Sequence, residues 1–343
     1  MTRTLIIGDI HGCYDELREL LDAAAVASDD VVVSVGDLVD RGPKPREVVD
    51  WFRARPGAVV LMGNHERKHV RAVFSYSQEV TRLQFGDGYA DAVAWMRGLP
   101  YYLELPEIRV VHAALIPGVP LAAQDEAVLA GTTAGEAILR AAIPEGWWHE
   151  RYADPVPVAF GHHVVGDQPL VREGAIYGLD TGACHGGRLT ALSVPDFTLY
   201  SVPAREDHWK TSAQAYQVPV LRTRAWATMG WAKLDETIAE RREHPAPEAD
   251  AYLDAVATWA GAIRALIPDL VPRVIALDQA LRAEHGAGYA AIAAAHPAKP
   301  LLFKLARGRL TLEDVQVRCG SAAATLALAA KLGVEVGALA TPP

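Results

Sequence analysis

Apolar residues in the first two hundred positions come in short runs. Runs rich in β-branched and aliphatic residues fall at 5–7, 31–35, 58–62, 108–111 and 157–160. Runs of that length between turn-forming residues read as buried strands. After the first run, Leu17, Leu20 and Leu21 share one face of a helical period, with charges between them. Val48, Val49 and Phe52 repeat the pattern after the second. Strands alternating with helices predict an α/β architecture. Three later runs, 175–179, 188–194 and 197–202, have no helical pattern between them. They read as an antiparallel meander, with Pro195 and Asp196 in a turn. Beyond about residue 205 the pattern changes. Residues 222–339 are Ala-rich with a 3.6-residue period, as in Tyr252, Val256, Trp259 and Ile263, then Val271, Val274, Leu277 and Leu281. Pro245, Pro247, Pro268, Pro272 and Pro297 punctuate this region as helix starts or stops would. The reading is a catalytic domain over 1–215 and a helical accessory domain over 216–343. An amphipathic helix is stabilised mainly by burying its apolar face. These faces are therefore expected to cover the first domain or another subunit. No internal repeat or low-complexity linker is visible.

Composition narrows the function. The chain has 343 residues, half of them hydrophobic, and a formal net charge of −9. That suits about two domains and excludes global disorder. The acidic balance argues against a sequence-blind nucleic-acid binder, which needs a broad Lys/Arg face. Phosphorylated substrates stay open, because bound cations can supply local positive charge. Cys13, Cys184 and Cys319 form no CxxC pair, so no disulfide framework is expected, and a reducing, cytoplasmic setting is the expectation. No run of 18 apolar residues and no signal-like start appears, so neither a membrane span nor a secretory leader is expected.

The candidate chemistry sits where the apolar runs stop. The first ends in Gly8-Asp9-Ile10-His11-Gly12 and the second in Gly36-Asp37-Leu38-Val39-Asp40-Arg41-Gly42. The third ends in Gly63-Asn64-His65-Glu66, the fourth in His112-Ala113 and the fifth in Gly161-His162. Strands of one sheet that share a direction would set these ends along a common rim, where α/β folds build sites. Carboxylate oxygen and imidazole nitrogen ligate Mn, Fe, Zn or Ni. Asp37 is placed to bridge two ions roughly 3.5–4 Å apart, as in two-metal hydrolysis. Two divalent ions against Asp9 and Asp37 leave a net positive centre for phosphate. No Cys or His pair has zinc-finger spacing.

Blocks GDIHG, GDLVDRG and GNHE, in that order, resemble the signature blocks of the calcineurin-like metallophosphoesterases, in their phosphoprotein-phosphatase branch. HAA at 112–114 and GHH at 161–163 resemble that family's fourth and fifth ligand blocks, and LDTG at 179–182 with GRLTAL at 187–192 resembles the segment closing its catalytic sheet. The resemblance spans roughly residues 1–203. It implies a two-sheet β-sandwich flanked by helices, followed here by the C-terminal α-helical accessory domain. It also implies two divalent metal ions, with manganese first and Fe, Zn or Ni as alternatives. Asp9, His11 and Asp37 would hold the first ion, and Asp37, Asn64, His112 and His162 the second. His65 would be the general acid, Asp40 would orient it, and Arg41 would grip the phosphate. Metal-bound water is acidified enough to supply hydroxide near neutral pH, and a carboxylate-held His can protonate the leaving oxygen.

The chain departs from the family pattern at Ala113, often Gly there, and at His163, usually Thr. His163 is read as a supporting or surface residue. A second phosphate-gripping arginine is expected between the fourth and fifth blocks, with Arg140 and Arg151 as candidates. Cys13 and Cys184 are read as packing residues. His69, His149, His185 and His208 are read as structural or exposed, and Glu66 as loop support. Trp147, Trp148 and Tyr152 are read as core, with a base-binding slot as the alternative. Arg67, Lys68 and Arg71 are read as a solvated helix face. The expected activity is a two-metal-dependent phosphatase of Ser/Thr phosphoprotein type. The alternative is a dinucleoside polyphosphate or other nucleotide phosphohydrolase. The GNHE tetrad leans to the former, because the tetraphosphatases commonly have Asp in place of Glu66. A silent scaffold is the non-enzymatic rival.

Overall fold

A computed structural model describes residues 3–242 and 246–343; Pro245 lies outside them. The chain folds as two compact units, one before and one after the Tyr216–Gln217 bond.

The first unit is built on two mixed sheets. One has the order β11-β10-β1-β2-β3, with β9 beside β10. Its strands are β1 (Thr4–Ile7), β2 (Val31–Ser34), β3 (Val59–Val60), β9 (Asp180–Thr181), β10 (Arg188–Val194) and β11 (Thr198–Pro203). The other has the order β4-β5-β6-β8-β7. Its strands are β4 (Tyr102–Glu104), β5 (Arg109–Val111), β6 (Val158–Phe160), β7 (Leu170–Arg172) and β8 (Ile176–Gly178). Strands β1, β2 and β3 run parallel, as do β5, β6 and β8.

Side-chain alternation gives each short strand two buried faces, and the two sheets together make three cores. Ile6 and Val33 face inward with Val110, Ala159, Tyr177 and Leu192, forming the core between the sheets. Leu5, Ile7 and Val32 face outward with Leu17, Leu20, Val48, Val49 and Phe52 from helices α1 (Tyr14–Ala23) and α2 (Pro45–Ala54). Val111, Val158, Phe160 and Ile176 form a third core with Leu129 and Trp148. Strands buried on both faces read as continuous apolar runs, which is why the sequence shows runs rather than alternation. Helices α3 (Asn64–Val70), α4 (Tyr76–Phe85), α5 (Tyr89–Met96), α6 (Glu126–Leu129), α7 (Thr133–Ala142) and α8 (His208–Ala215) complete the unit.

Two expectations are corrected. The run at 175–179 does not join a meander: β8 lies in the second sheet, parallel to β6, and only β10 and β11 form the hairpin. The five functional strand ends belong to two sheets, not one.

The second unit is helical: α9 (Gln217–Arg222), α10 (Trp231–Arg242), α11 (Pro247–Ala265), α12 (Ile267–His285), α13 (Tyr289–Ala295), α14 (Lys299–Ala306), α15 (Leu312–Gln316) and α16 (Ala322–Lys331). Pro247 opens α11 and Pro268 lies in the first turn of α12, but Pro272 sits inside α12 rather than ending it. An internal proline costs a hydrogen bond and about 3 kcal/mol; burial of Leu270 and Val274 on either side offsets it. The α11 stripe Tyr252, Val256, Trp259 and Ile263 is buried against Leu221, Leu234, Ile238 and Leu326. That stripe is therefore satisfied inside its own unit, which corrects the expectation that it covers the first domain or another subunit. Among the described residues no helix is long and apolar enough to cross a membrane.

Candidate metal centre

The carboxyl ends of β1, β2, β3, β5 and β6 deliver Asp9, His11, Asp37, Asn64, His112 and His162 to one edge of the sandwich. Close approach there needs residues without side chains. A Cβ on Gly63 would lie 2.1 Å from Asp37 Oδ1, and one on Gly161 would lie 2.0 Å from Asp9 Oδ1. The backbone itself is strained at the site. His11, Asp37, Asp40, Arg41 and His162 all have left-handed φ, between 46° and 70°. Non-glycine residues rarely adopt that region, and such strain collects at functional sites.

Asp37 lies at the centre of the cluster. Its Oδ2 is 3.6 Å from His11 Nε2 and 3.9 Å from His65 Nε2. Its Oδ1 is 3.5 Å from His112 Nε2 and accepts the His65 backbone N–H at 3.0 Å. Asp37 thus belongs to two sets of potential ligand atoms, one with His11 and His65 and one with His112 and His162. Asp9 accepts the His162 backbone N–H on both oxygens at 3.0 Å.

The donor inventory shows what the cluster lacks. His11 Nδ1–H donates to Val39 O at 2.8 Å, and His112 Nδ1–H donates to Val35 O at 3.1 Å. Each ring then turns a proton-free Nε2 inward, that of His11 meeting Arg41 Nη1 at 2.9 Å. Asn64 Oδ1 lies 3.1 Å from His112 Nε2 and 3.0 Å from His162 Nδ1. A neutral His112 has no proton left for Asn64 Oδ1 or Asp37 Oδ1. Lone pairs therefore face one another in a buried site, an arrangement a cation resolves. Burial disfavours protonation instead. It lowers His112, holds His11 well below the usual imidazole range, and takes His162 down to about 3. Burial, then the neighbouring Asp180 and Asp37, push Asp9 well above the carboxylate range. Crowded carboxylates beside neutral imidazoles suit first-row divalent ions.

A second network fixes the His65 ring. Its Nδ1 donates to Asp40 Oδ2 at 2.5 Å, leaving Nε2 to face Asp37. Asp40 also accepts from His69 Nε2 at 2.9 Å and from the Gln78 amide. Burial opposes ionisation of Asp40, but the bonds from His65 and His69 prevail and hold it well below its ordinary range. Arg41 Nη1 reaches His11 Nε2 at 2.9 Å.

The calcineurin-like phosphoesterase family model matches residues 2–215. The chain belongs to the calcineurin-like phosphoesterases. An asymmetrical bis(5'-nucleosyl)-tetraphosphatase of Geobacillus thermodenitrificans is 31% identical over 59% of this chain and 95% of its own length. A symmetrical bis(5'-nucleosyl)-tetraphosphatase of Erwinia tasmaniensis is 28% identical over 60% of this chain and 98% of its own. A crystal structure of a protein provisionally assigned as a diadenosine tetraphosphatase superposes with a TM-score of 0.50 at 29% identity, covering 59% of this chain and 94% of that one. Membership makes the chain a metal-dependent phosphoester hydrolase rather than a silent scaffold.

Other residues of this phosphoesterase fall into place around the centre. Glu66 accepts the backbone N–H groups of Asp37, Leu38, Val39 and Gly63, so it holds the Asp37 loop. Arg140 lines a cavity beside His162; Arg151 is exposed and does not line it. Cys13 and Cys184 are buried in the core. His208 is buried and pairs with Glu16 at 2.7 Å. Arg67 and Lys68 are half-buried in the last turn of α3. Trp148 is core, but Trp147 is half exposed, which corrects the core reading for that residue. Sequence reasoning missed His69, Gln78 and Asp180. The spacing of His65 and His69, one turn apart on α3, is the signal that could have placed His69 on the His65 side. Asp180 opens β9 and is pushed by burial to about 6. Its LDTG block carries a buried acid toward the centre as well as closing the sheet.

Proposed function

We propose that this phosphoesterase hydrolyses a phosphoanhydride of a nucleoside polyphosphate. Asp9, His11 and Asp37 would hold one divalent ion and Asp37, Asn64, His112 and His162 a second. The observation that carries the hydrolytic reading is the inward convergence of these acceptors beside a carboxylate-clamped His65. Divalent ions held there supply Lewis acidity and a nucleophile from water near neutral pH. Manganese is proposed as the ion, with iron, zinc or nickel as alternatives, since the mixed oxygen and imidazole set accepts each of them. The chain's own groups do the rest. Arg41 offers a planar fork to phosphate oxygens. His65 Nε2 gives its proton to the leaving oxygen, while Asp40 keeps the ring turned.

Two similar relatives carry names that state bis-nucleosyl tetraphosphate hydrolysis, which supports the nucleotide substrate over a phosphoprotein. The GNHE lean toward protein phosphatases loses weight, because Glu66 is spent on backbone N–H groups. The test is a panel of substrates with the Mn²⁺-loaded full chain: a dinucleoside tetraphosphate, a mononucleotide, a phosphopeptide and an RNA end-phosphate. The dinucleotide is expected to have the highest kcat/KM. A clear preference for the phosphopeptide would overturn the reading.

A further inference from the structure

Next to His162 a cavity of about 430 Å³ opens, within the range of small-molecule sites. Its walls include Leu139, Arg140, Ile143, Trp147 and His163, and His162 itself forms part of the lining. The cavity therefore adjoins the candidate metal centre through His162.

The two adjacent tryptophans behave differently. Trp148 is 5% exposed and packs edge-on against Phe160, with ring centroids 5.1 Å apart. Trp147 is 49% exposed. Its ring lies 4.4 Å from that of His163 and nearly parallel to that of His149, at 5.9 Å and 14°. A single exposed apolar side chain needs no explanation. An indole packed against two imidazoles in the wall of a concave site is a different case, because its half-exposed ring is held in place. Arg140 brings a cation into the same cavity.

Resting on the nucleotide reading above, we infer that Trp147, braced by His163, is the stacking platform for a purine base of the substrate. Arg140 meets a phosphate oxygen between that base and the metal-binding residues. A base offers a flat π-surface to stack on the indole, and purines offer more of it than pyrimidines. An arginine fork complements phosphate, whereas a peptide chain brings neither group in that order. Base–aromatic stacking measured by alanine substitution corresponds to roughly a fivefold to hundredfold change in binding.

The experiment uses the Mn²⁺-loaded full chain with diadenosine tetraphosphate, diuridine tetraphosphate and p-nitrophenyl phosphate, which has no base. For the unsubstituted chain, kcat/KM is expected to favour the diadenosine over the diuridine substrate. In Trp147→Ala, the ratio of kcat/KM for the diadenosine substrate to that for p-nitrophenyl phosphate is expected to fall about tenfold, mainly through KM. Trp147→Phe should restore most of the ratio, and Arg140→Ala should lower it for both dinucleotides alike. Thermal melting of each variant checks folding. If the unsubstituted chain cleaves the diadenosine substrate and Trp147→Ala keeps the ratio within twofold, the platform is overturned and the nucleotide reading stands. If the unsubstituted chain cleaves p-nitrophenyl phosphate but neither dinucleotide, the nucleotide reading fails and the platform fails with it.

Discussion

Asp40 receives bonds from His65, His69 and Gln78, so one buried carboxylate fixes the ring that faces Asp37. This separates holding metal from moving a proton. His65→Asn is expected to keep its metal content. Its turnover of alkyl phosphates should fall by roughly 10²–10⁴, the usual contribution of a positioned acid. Aryl phosphates and anhydrides, with better leaving groups, should fall less. Loss of bound metal, read by elemental analysis, would contradict the role given to His65. His69→Ala should lower activity about 10–100-fold, the scale of an outer-sphere partner. It should share the leaving-group dependence of His65→Asn, because it acts through the same ring. A uniform loss across leaving groups would mean that His69 is only structural. Asp37→Asn should nearly abolish hydrolysis on any leaving group, since Asp37 is proposed to hold both ions and lies in both groups of potential ligand atoms. A variant that binds two metals and turns over near the original rate would rule that out.

Elements show which parts of the site the sequence could reveal. Asp9, Asp37 and Asn64 follow apolar runs directly, so a pattern of strand ends is enough to find them. His112 and His162 are found the same way, although they come from the other sheet. What pattern could not show is tertiary. The 175–179 run is too short to reveal which sheet it joins, and the left-handed φ of His11, Asp37 and Asp40 leaves no compositional mark. His69 escapes a sequence reading because a histidine on a helix looks ordinary until Asp40 is known to lie against it. The same holds for α8, fastened to α1 by His208 and Glu16 at 2.7 Å. Burial opposes the charged form of Glu16, but the His208 bond and the backbone N–H donors, that of Arg205 among them, together outweigh it and lower its pKa to about 2; the His208–Glu16 bond also raises His208. Glu16 therefore adds stability above its unfolded value of about 4.3, which is lost as pH falls toward 2. His208 adds stability below its unfolded value of about 6.5, which is lost as pH rises through the higher folded value. The loss of Tm in His208→Gln should accordingly be largest between about pH 4.5 and 6.5 and shrink in alkaline buffer. A loss that grows as pH rises above about 6.5 would refute the pairing.

At the scale of the molecule, the net charge of −9 opposes a polyphosphate substrate, so attraction must come from cations concentrated at the site. Every residue proposed for metal, proton transfer or phosphate lies before Cys184, within the first unit. That unit has its own cores: one between the sheets and one on each outer face. The helical unit likewise closes two cores of its own, one around α11 and one around Leu270, Leu301 and Val315. A unit with a complete core can fold by itself. Residues 1–216 alone are therefore expected to unfold cooperatively, to bind two divalent ions and to retain Mn²⁺-dependent hydrolysis of p-nitrophenyl phosphate. Heat denaturation and metal titration of the truncated chain, beside the full chain, check this. A truncated chain that folds and loads metal yet turns over no phosphoester would show that residues 217–343 take part in the reaction, and would move the search for the missing group into the helical unit.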